Sequence, residues 1–270
     1  MPELPEVETV VRTLAPAIVG RRVAAVTVRD PRLRGGIAAD FAARLTGRRI
    51  ERLARRGKYL LAWLDDGRCW LVHLGMSGRL TFARTAGDVA KHDHVSIVLD
   101  DGVVVTYNDP RRFGRMAVLE AEAAGRETGA GLDPVVDGLP AATLFALTRQ
   151  RRTSIKAFLM DQRRIAGLGN IYVNEILFRA GVRPGRRAAR LTRAECAAIA
   201  DATQAVLADA IRGGGSSISD YRDGLGRSGW FQLAHAVYDR AGEPCVRCGA
   251  RIRVRVVVGR STFYCPGCQR

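Results

Sequence analysis

Apolar residues recur at helical spacing near the start of the chain. Val7, Val10, Val11, Leu14 and Ile18 fall on one face, which predicts a helix over residues 5–19 with a kink at Pro16 and a stop at Gly20. From residue 22 the period shortens to two. Runs at Val23–Val28, Ile50–Arg55, Tyr59–Leu64, Cys69–Leu74, Arg79–Phe82, Val95–Leu99, Val103–Tyr107 and Arg115–Leu119 read as strands, punctuated by Asp66-Gly67 and Asp101-Gly102 turns. Eight short strands with tight turns predict an all-β sandwich or barrel. Residues 121–138, rich in Ala, Gly and Glu, read as a linker. Beyond about residue 140 the helical period returns. Thr192-x-x-Glu195 forms a capping box ahead of Cys196, Ile199, Ala200, Thr203, Val206, Leu207, Ala210 and Ile211, so Cys196 reads as core. The run Gly213-Gly214-Gly215-Ser216-Ser217 ends that helix and opens a loop reaching to Trp230, either a lid over a ligand or a tether.

Charge narrows the function. The 270 residues are 47% hydrophobic, enough for one large or two ordinary cores, and 43 basic against 27 acidic residues give a net charge of +16. Such an excess points to a polyanionic partner such as nucleic acid; a merely solvated basic surface is the alternative. No stretch of 18 apolar residues occurs, which argues against a membrane span, and the acidic start lacks the basic and apolar regions of a signal peptide. The expectation is a cytosolic, reducing setting in which cysteines serve as ligands or thiols. Only Lys58, Lys91 and Lys156 are lysine. In a chain so biased to arginine, surviving lysines mark places where a compact, titratable amine matters.

Several segments carry candidate chemistry. Cys245-x-x-Cys248 and Cys265-x-x-Cys268, sixteen residues apart, have the spacing of a four-thiolate zinc ribbon. Four closed ligands make that zinc structural. Arg251, Arg253, Arg255 and Arg260 between the knuckles suit a nucleic-acid-facing hairpin. The segments His73–Gly78 and Asp109–Gly114 set Met76 and Phe113 beside cations, as core plugs or as wedges that enter a base stack. His92 and His94 share a strand face, an ordinary polar pair or half of a metal site. Gly167-Leu168-Gly169 reads as a turn feeding a helix from about Ile171 to Ala180, whose amides could hold a phosphate. Pro2 follows an initiator Met of the kind normally removed. Freed, its secondary amine would be a nucleophile able to form an iminium, with Glu3 placed for proton transfer. On those first residues alone, a Pro and Glu that merely open a helix are the better reading.

Taken together, Pro2–Glu8, Gly57-Lys58-Tyr59-Leu60, His73–Gly78, Lys91–His94, Asp109–Gly114, Ile155-Lys156, Leu159–Asp161, Gly167–Tyr172 and the cysteine ribbon resemble the formamidopyrimidine-DNA glycosylase family, from one end of the chain to the other. The three lysines all fall within these motifs. The resemblance implies an α+β protein of two domains: a catalytic β-sandwich with flanking helices over 1–120, the linker 121–138, a helix–two-turn–helix domain over 139–240 and a zinc finger over 241–270. DNA would lie in the cleft between the domains. It implies a bifunctional base-excision enzyme, monomeric and cytoplasmic, that removes 8-oxoguanine and formamidopyrimidines from damaged double-stranded DNA and cleaves the strand. One structural zinc and no organic cofactor would be needed. Carried over by position, Pro2 attacks the sugar C1′, Glu3 donates a proton, Lys58 donates one in β-elimination, and Arg260 contacts phosphate and assists δ-elimination. Met76, Arg111 and Phe113 would fill the gap left by the flipped nucleotide. His92, Arg112, Arg151, Lys156 and Asn170 would hold the backbone, and the 213–230 loop would close on the base. Residues 120–150 and 183–190 match no family motif, and Arg151-Arg152 stands where lysines are expected. An endonuclease VIII-like enzyme for oxidised pyrimidines, disfavoured by the Met76 and Arg111-Arg112-Phe113 set, and a non-catalytic DNA-binding paralogue are the alternatives.

Overall fold

The computed structural model describes residues 2–85, 87–129, 131–217 and 221–270. It divides into two compact units, Met1–Thr128 with Gly213–Gln232, and Gly129–Arg212 with Leu233–Arg270. In the first, α1 (Leu4–Ile18) runs through Pro16 and ends where Val19 donates to the Ala15 carbonyl. All eight expected strands form, within two residues of their expected ends: β1 (Val23–Val28), β2 (Ile50–Arg56), β3 (Tyr59–Leu64), β4 (Arg68–His73), β5 (Arg79–Ala83), β6 (Asp93–Leu99), β7 (Val104–Asn108) and β8 (Arg115–Glu120). They make two antiparallel four-stranded sheets, ordered β1-β6-β7-β5 and β2-β3-β4-β8. Trp70 and Val72 of β4, Val95 and Ile97 of β6, Val105 and Tyr107 of β7, and the apolar stripe of α1 share one core.

Strand β4 is buried on both faces. Its other face, Cys69 and Leu71, packs with Leu61 against Ala124. Ala124 lies on α3 (Ala121–Glu127), which occupies part of the expected linker. An Ala/Glu-rich segment of seven residues offers little apolar signal, because one alanine suffices to cover the small patch beneath it. The five-residue α2 (Phe41–Leu45) was too short to leave a period, though it buries Phe41 and Leu45.

The 213–230 segment also departs from its expected place in the helical domain; its described residues, outside 218–220, belong to the first unit. Ser216 N–H donates to Glu6 Oε1 at 2.8 Å, Gly224 N–H to Thr13 Oγ1 at 2.9 Å, and the Tyr221 hydroxyl to the Glu6 carbonyl at 3.2 Å. These described parts are fastened to α1, and a plain tether would not be.

The second unit holds α4 (Ala141–Thr148), α5 (Ile155–Met160), α6 (Asn170–Arg179), α7 (Arg193–Arg212) and the hairpin of β9 (Arg253–Val257) and β10 (Arg260–Tyr264). The expected capping box opens α7: Thr192 N–H meets Glu195 Oε2 at 2.8 Å and Glu195 N–H meets Thr192 Oγ1 at 3.1 Å. Cys196 is fully buried behind it. Two turns join α5 to α6, fixed by Gln162, which donates to the Leu168 carbonyl and accepts from Gly167 N–H. Glu175 on α6 is buried, and its carboxylate accepts the N–H groups of Ala236, Val237 and Tyr238 at 2.8–3.0 Å. Burial pushes its pKa up against the pull of these donors. This one side chain anchors the chain entering the cysteine ribbon. Replacing Glu175 by Ala leaves the buried Val237 amide and the part-buried Ala236 and Tyr238 amides without this acceptor, and a buried unpaired amide costs about 1–3 kcal/mol, so urea unfolding should show a loss of at least about 1 kcal/mol.

Candidate functional site

Pro2 is buried at the head of α1. Glu3 is the N-cap, and Glu6 reaches back to accept Glu3 N–H at 2.7 Å, closing a capping box. Both carboxylates are buried, Glu3 at 3% and Glu6 at 1% exposure. Glu3 thus opens the helix, and it is the same residue that the resemblance makes a proton donor. Met1 lies outside the described residues. A second tie runs from α1 to the turn that carries Lys58: Arg55 Nε binds Glu8 at 2.9 Å while its Nη1 donates to the Gly57 carbonyl at 2.9 Å. Lys58 itself is buried. Desolvation, with the Lys58 and Arg34 charges, lowers the His73 pKa to about 4. His73 is thus neutral near pH 7, and its Nδ1 accepts the Gly75 N–H at 3.0 Å, fixing the start of the Met76 loop.

The two motif loops form one assembly. Fully buried Asp109 accepts from Ser77 Oγ at 2.6 Å, Gly114 N–H at 2.9 Å, the Tyr107 hydroxyl at 3.2 Å and Arg111 N–H at 3.3 Å. A Cβ at Gly114 would overlap the Tyr107 hydroxyl, so only glycine fits there. Above this latch Arg111 lies 5.0 Å over the Phe113 ring, and its Nη2 is 3.4 Å from Met76 Sδ. Met76 and Phe113 are 37% and 46% exposed. The core-plug reading fails for both: they are an exposed apolar pair bridged by a guanidinium.

Beside them Arg112 pairs with Asp30 at 2.9 Å. Hydrogen bonding from Arg32, with the Arg112 charge, holds Asp30 well below the usual carboxylate range. His92 does not share a strand face with His94: it precedes β6 with φ of 74°, in the left-handed region, and the rings are 6.2 Å apart. Among the described residues, neither belongs to a cluster able to hold a metal.

In the second unit, Lys156 and Asn170 converge on the hairpin. Lys156 Nζ donates to the Ser261 carbonyl at 2.9 Å and to Thr262 Oγ1 at 2.7 Å, and Asn170 Nδ2 donates to the same carbonyl at 3.1 Å. Both thereby brace the strand that begins with exposed Arg260. Asn170 Oδ1 is buried without a hydrogen-bond partner. Arg151 stands exposed after α4.

The cysteines gather as the spacing required. All four Sγ atoms lie within 4.8 Å of one another, with Cys245–Cys268 at 3.8 Å and Cys248–Cys265 at 3.5 Å. A tetrahedron with metal–sulfur bonds of about 2.3 Å has edges of about 3.8 Å, so the set suits one zinc ion with no coordination position left open. Arg247 and Cys268 N–H groups point at the Cys245 and Cys265 sulfurs, at 3.4 Å each, which favours thiolate.

Sequence reasoning missed Glu6, Arg55, Asp30, Ser77 and Asp109 as supports. Glu6, Ser77 and Asp109 stand inside the quoted motifs, where a buried polar group must find partners, whereas Arg55 and Asp30 stand outside them and left no signal.

A β-sandwich unit and a helix–two-turn–helix unit carrying a tetrathiolate ribbon make this a two-domain α+β protein of the zinc-finger class. Residues 1–116 match the formamidopyrimidine-DNA glycosylase N-terminal domain, 130–222 its H2TH domain, and 242–270 the zinc finger found in FPG and IleRS. The chain is 48% identical to the formamidopyrimidine-DNA glycosylase of Thiobacillus denitrificans over the whole of both chains. It is also similar to Lactococcus lactis Fpg solved with Fapy-dG containing DNA (34% identity, TM-score 0.90, covering 99% of this chain and 100% of that one). The same enzyme with abasic-site DNA gives 34% and 0.91, covering 99% of each chain. The chain belongs to the formamidopyrimidine-DNA glycosylase family.

Because the ribbon encloses little apolar core of its own, metal binding supplies much of its local folding energy. Metal analysis should find one zinc per chain, and Cys248→Ser should abolish stoichiometric zinc and unfold the 245–268 ribbon while the β-sandwich retains its near-UV signal. Protein free of zinc with the ribbon amides still protected from exchange would contradict this.

Proposed function

We propose that the protein is a bifunctional DNA glycosylase and abasic-site lyase that excises oxidised purines, 8-oxoguanine and formamidopyrimidines, from double-stranded DNA. The relatives solved with Fapy-dG and abasic DNA support the substrate class. The observation that carries the reading is the buried Pro2 at the head of a helix capped by two buried carboxylates. Once Met1 is removed, the Pro2 nitrogen is a secondary amine held in one place. It attacks C1′; the N-glycosidic bond breaks and the base departs with its electrons, accepting a proton with Glu3 as donor. The Pro2 nitrogen then gives up its proton and the C1′–O4′ bond breaks, O4′ taking up a proton as the sugar ring opens; the resulting iminium acidifies the C2′ hydrogen. Loss of that proton expels the 3′ phosphate, with Lys58 as proton donor, and a second elimination, assisted by Arg260 at the phosphate, releases the 5′ side. No organic cofactor is required. Zinc holds the ribbon that carries Arg260.

A base inside a duplex cannot offer its C1′ to a buried amine, so it must be flipped out and the gap filled. Met76, Arg111 and Phe113, rigidly mounted and exposed, are suited to that vacancy. Arg111 can donate hydrogen bonds to the opposite base and so distinguish cytosine from adenine. His92, Arg112, Arg151, Lys156 and Asn170 hold the backbone, the last two by setting the hairpin strand as well. The enzyme acts as a monomer on cytoplasmic chromosomal DNA.

Single-turnover assays on matched duplexes test the reading. Wild-type protein should excise 8-oxoguanine and formamidopyrimidine faster than oxidised pyrimidines. Phe113→Ala should slow duplex excision by at least about tenfold, since an unfilled stack costs a few kcal/mol, and leave salt-dependent binding to undamaged DNA nearly unchanged. Arg111→Ala should erode the preference for cytosine opposite the lesion. Absence of oxidised-purine excision would overturn the assignment.

A further inference from the structure

Residues 183–190, though inside the matched H2TH domain, carry none of the quoted sequence motifs, and 183–193 places five arginines in eleven residues: Arg183, Arg186, Arg187, Arg190 and Arg193. In the structure it pairs antiparallel with the chain entering α5. Ser154 bridges Arg187, Ile155 N–H donates to the Arg186 carbonyl at 2.8 Å, Ala188 N–H to Thr153 at 2.9 Å and Ala189 N–H to Arg151 at 3.1 Å. Arg151 and Arg152 on one segment, and Arg187 with Arg190 of the short 3-10 turn Ala188–Arg190 on the other, are therefore held on two hydrogen-bonded segments, all four exposed.

Their neighbours have partners. Arg186 pairs with Glu195 at 3.1 Å, while Arg149 and Arg193 lie 4.0 and 4.4 Å from the centroid of the Phe145 ring. Among the described residues, no carboxylate pairs with Arg151, Arg152, Arg187 or Arg190. Gly185, Arg186, Arg187 and Arg190 line an open recess of about 530 Å³. At its rim the Arg255 guanidinium of the zinc hairpin lies so close over Gly185 that a Cβ there would overlap it. The four arginines thus stand on two hydrogen-bonded segments, one of which meets the ribbon's Arg255 at Gly185. Exposed guanidinium groups that no carboxylate pairs favour an external polyanion.

We propose that Arg187 and Arg190 form an auxiliary phosphate-contact surface for duplex DNA, continuous with the backbone-holding residues of the second unit and used to hold undamaged DNA during the search for lesions. The proposal rests on the DNA-processing reading above. The contacts are to phosphate and carry no sequence or lesion information.

Each phosphate neutralised adds about 0.9 to the slope of log affinity against log salt. Fluorescence anisotropy with an undamaged duplex of about 30 base pairs, titrated between about 50 and 200 mM salt, reads that slope. The double variant Arg187→Gln/Arg190→Gln should lower it by about 2, which makes the affinity lost across that range about tenfold smaller than in wild type. Arg187→Lys/Arg190→Lys should restore the slope, because an ammonium still neutralises phosphate. Arg126→Gln, which removes an arginine paired with Glu122 on α3, should leave it unaltered. Zinc content and melting temperature certify that each variant is folded. A wild-type slope in the Gln variant, or an equal drop in Arg126→Gln, overturns this surface while leaving the functional reading intact. Wild-type protein without salt-dependent DNA affinity would instead overturn both.

Discussion

Much of the first unit depends on one buried carboxylate. Glu6 accepts the N–H of Glu3 through one oxygen and that of Ser216 through the other. Hydrogen bonds to a charged group contribute about 1.5–3 kcal/mol each, and here they join segments more than two hundred residues apart in sequence. The first bond sets where the chain begins its helix and therefore where Pro2 stands. The second brings the glycine-rich segment that follows α7 against the same helix turn. The residue proposed as the nucleophile stands near a chain terminus, ordinarily the most mobile part of a protein. Burial of Pro2, Glu3 and Glu6 converts that end into a fixed point.

A similar economy governs the wedge loops. Met76 and Phe113 must be exposed to be useful in a base stack, and exposed apolar side chains on loops collapse unless their backbones are held. Asp109 holds both loops from beneath, with Tyr107 and Gly114 packed too tightly for alternatives. Arg111 between the two side chains keeps them apart and solvated.

The sandwich was legible because its strands alternate and its turns carry Asp-Gly, and the ribbon because four thiols at fixed spacing have few other uses. Pairing order was not legible, since β1 joins β6 and β4 joins β8 through contacts that no local pattern records. Helix α3 was hidden because it covers its sheet with one alanine. The hairpin turn Val258-Gly259 has positive φ at both residues, a conformation usually signalled by Asn-Gly and unannounced by valine. At the site, the residues proposed to act were visible as motif members, whereas the supporting roles of Glu6, Arg55 and Asp109 were not, because they run through partners distant in sequence. For Lys156 the charge was legible and the second role was not: it is buried and also donates to Ser261 and Thr262 of the hairpin, more than a hundred residues on in the chain.

The central claim is that the Pro2 nitrogen forms a covalent bond to the sugar of damaged DNA. Borohydride reduction during turnover on an 8-oxoguanine duplex, followed by mass mapping of the cross-linked peptide, tests it most directly. The account predicts one stable adduct per chain, on Pro2, in molecules that lack Met1. Failure to trap any adduct, an adduct on Lys58 or another lysine, or full trapping by chains that retain Met1 would contradict it.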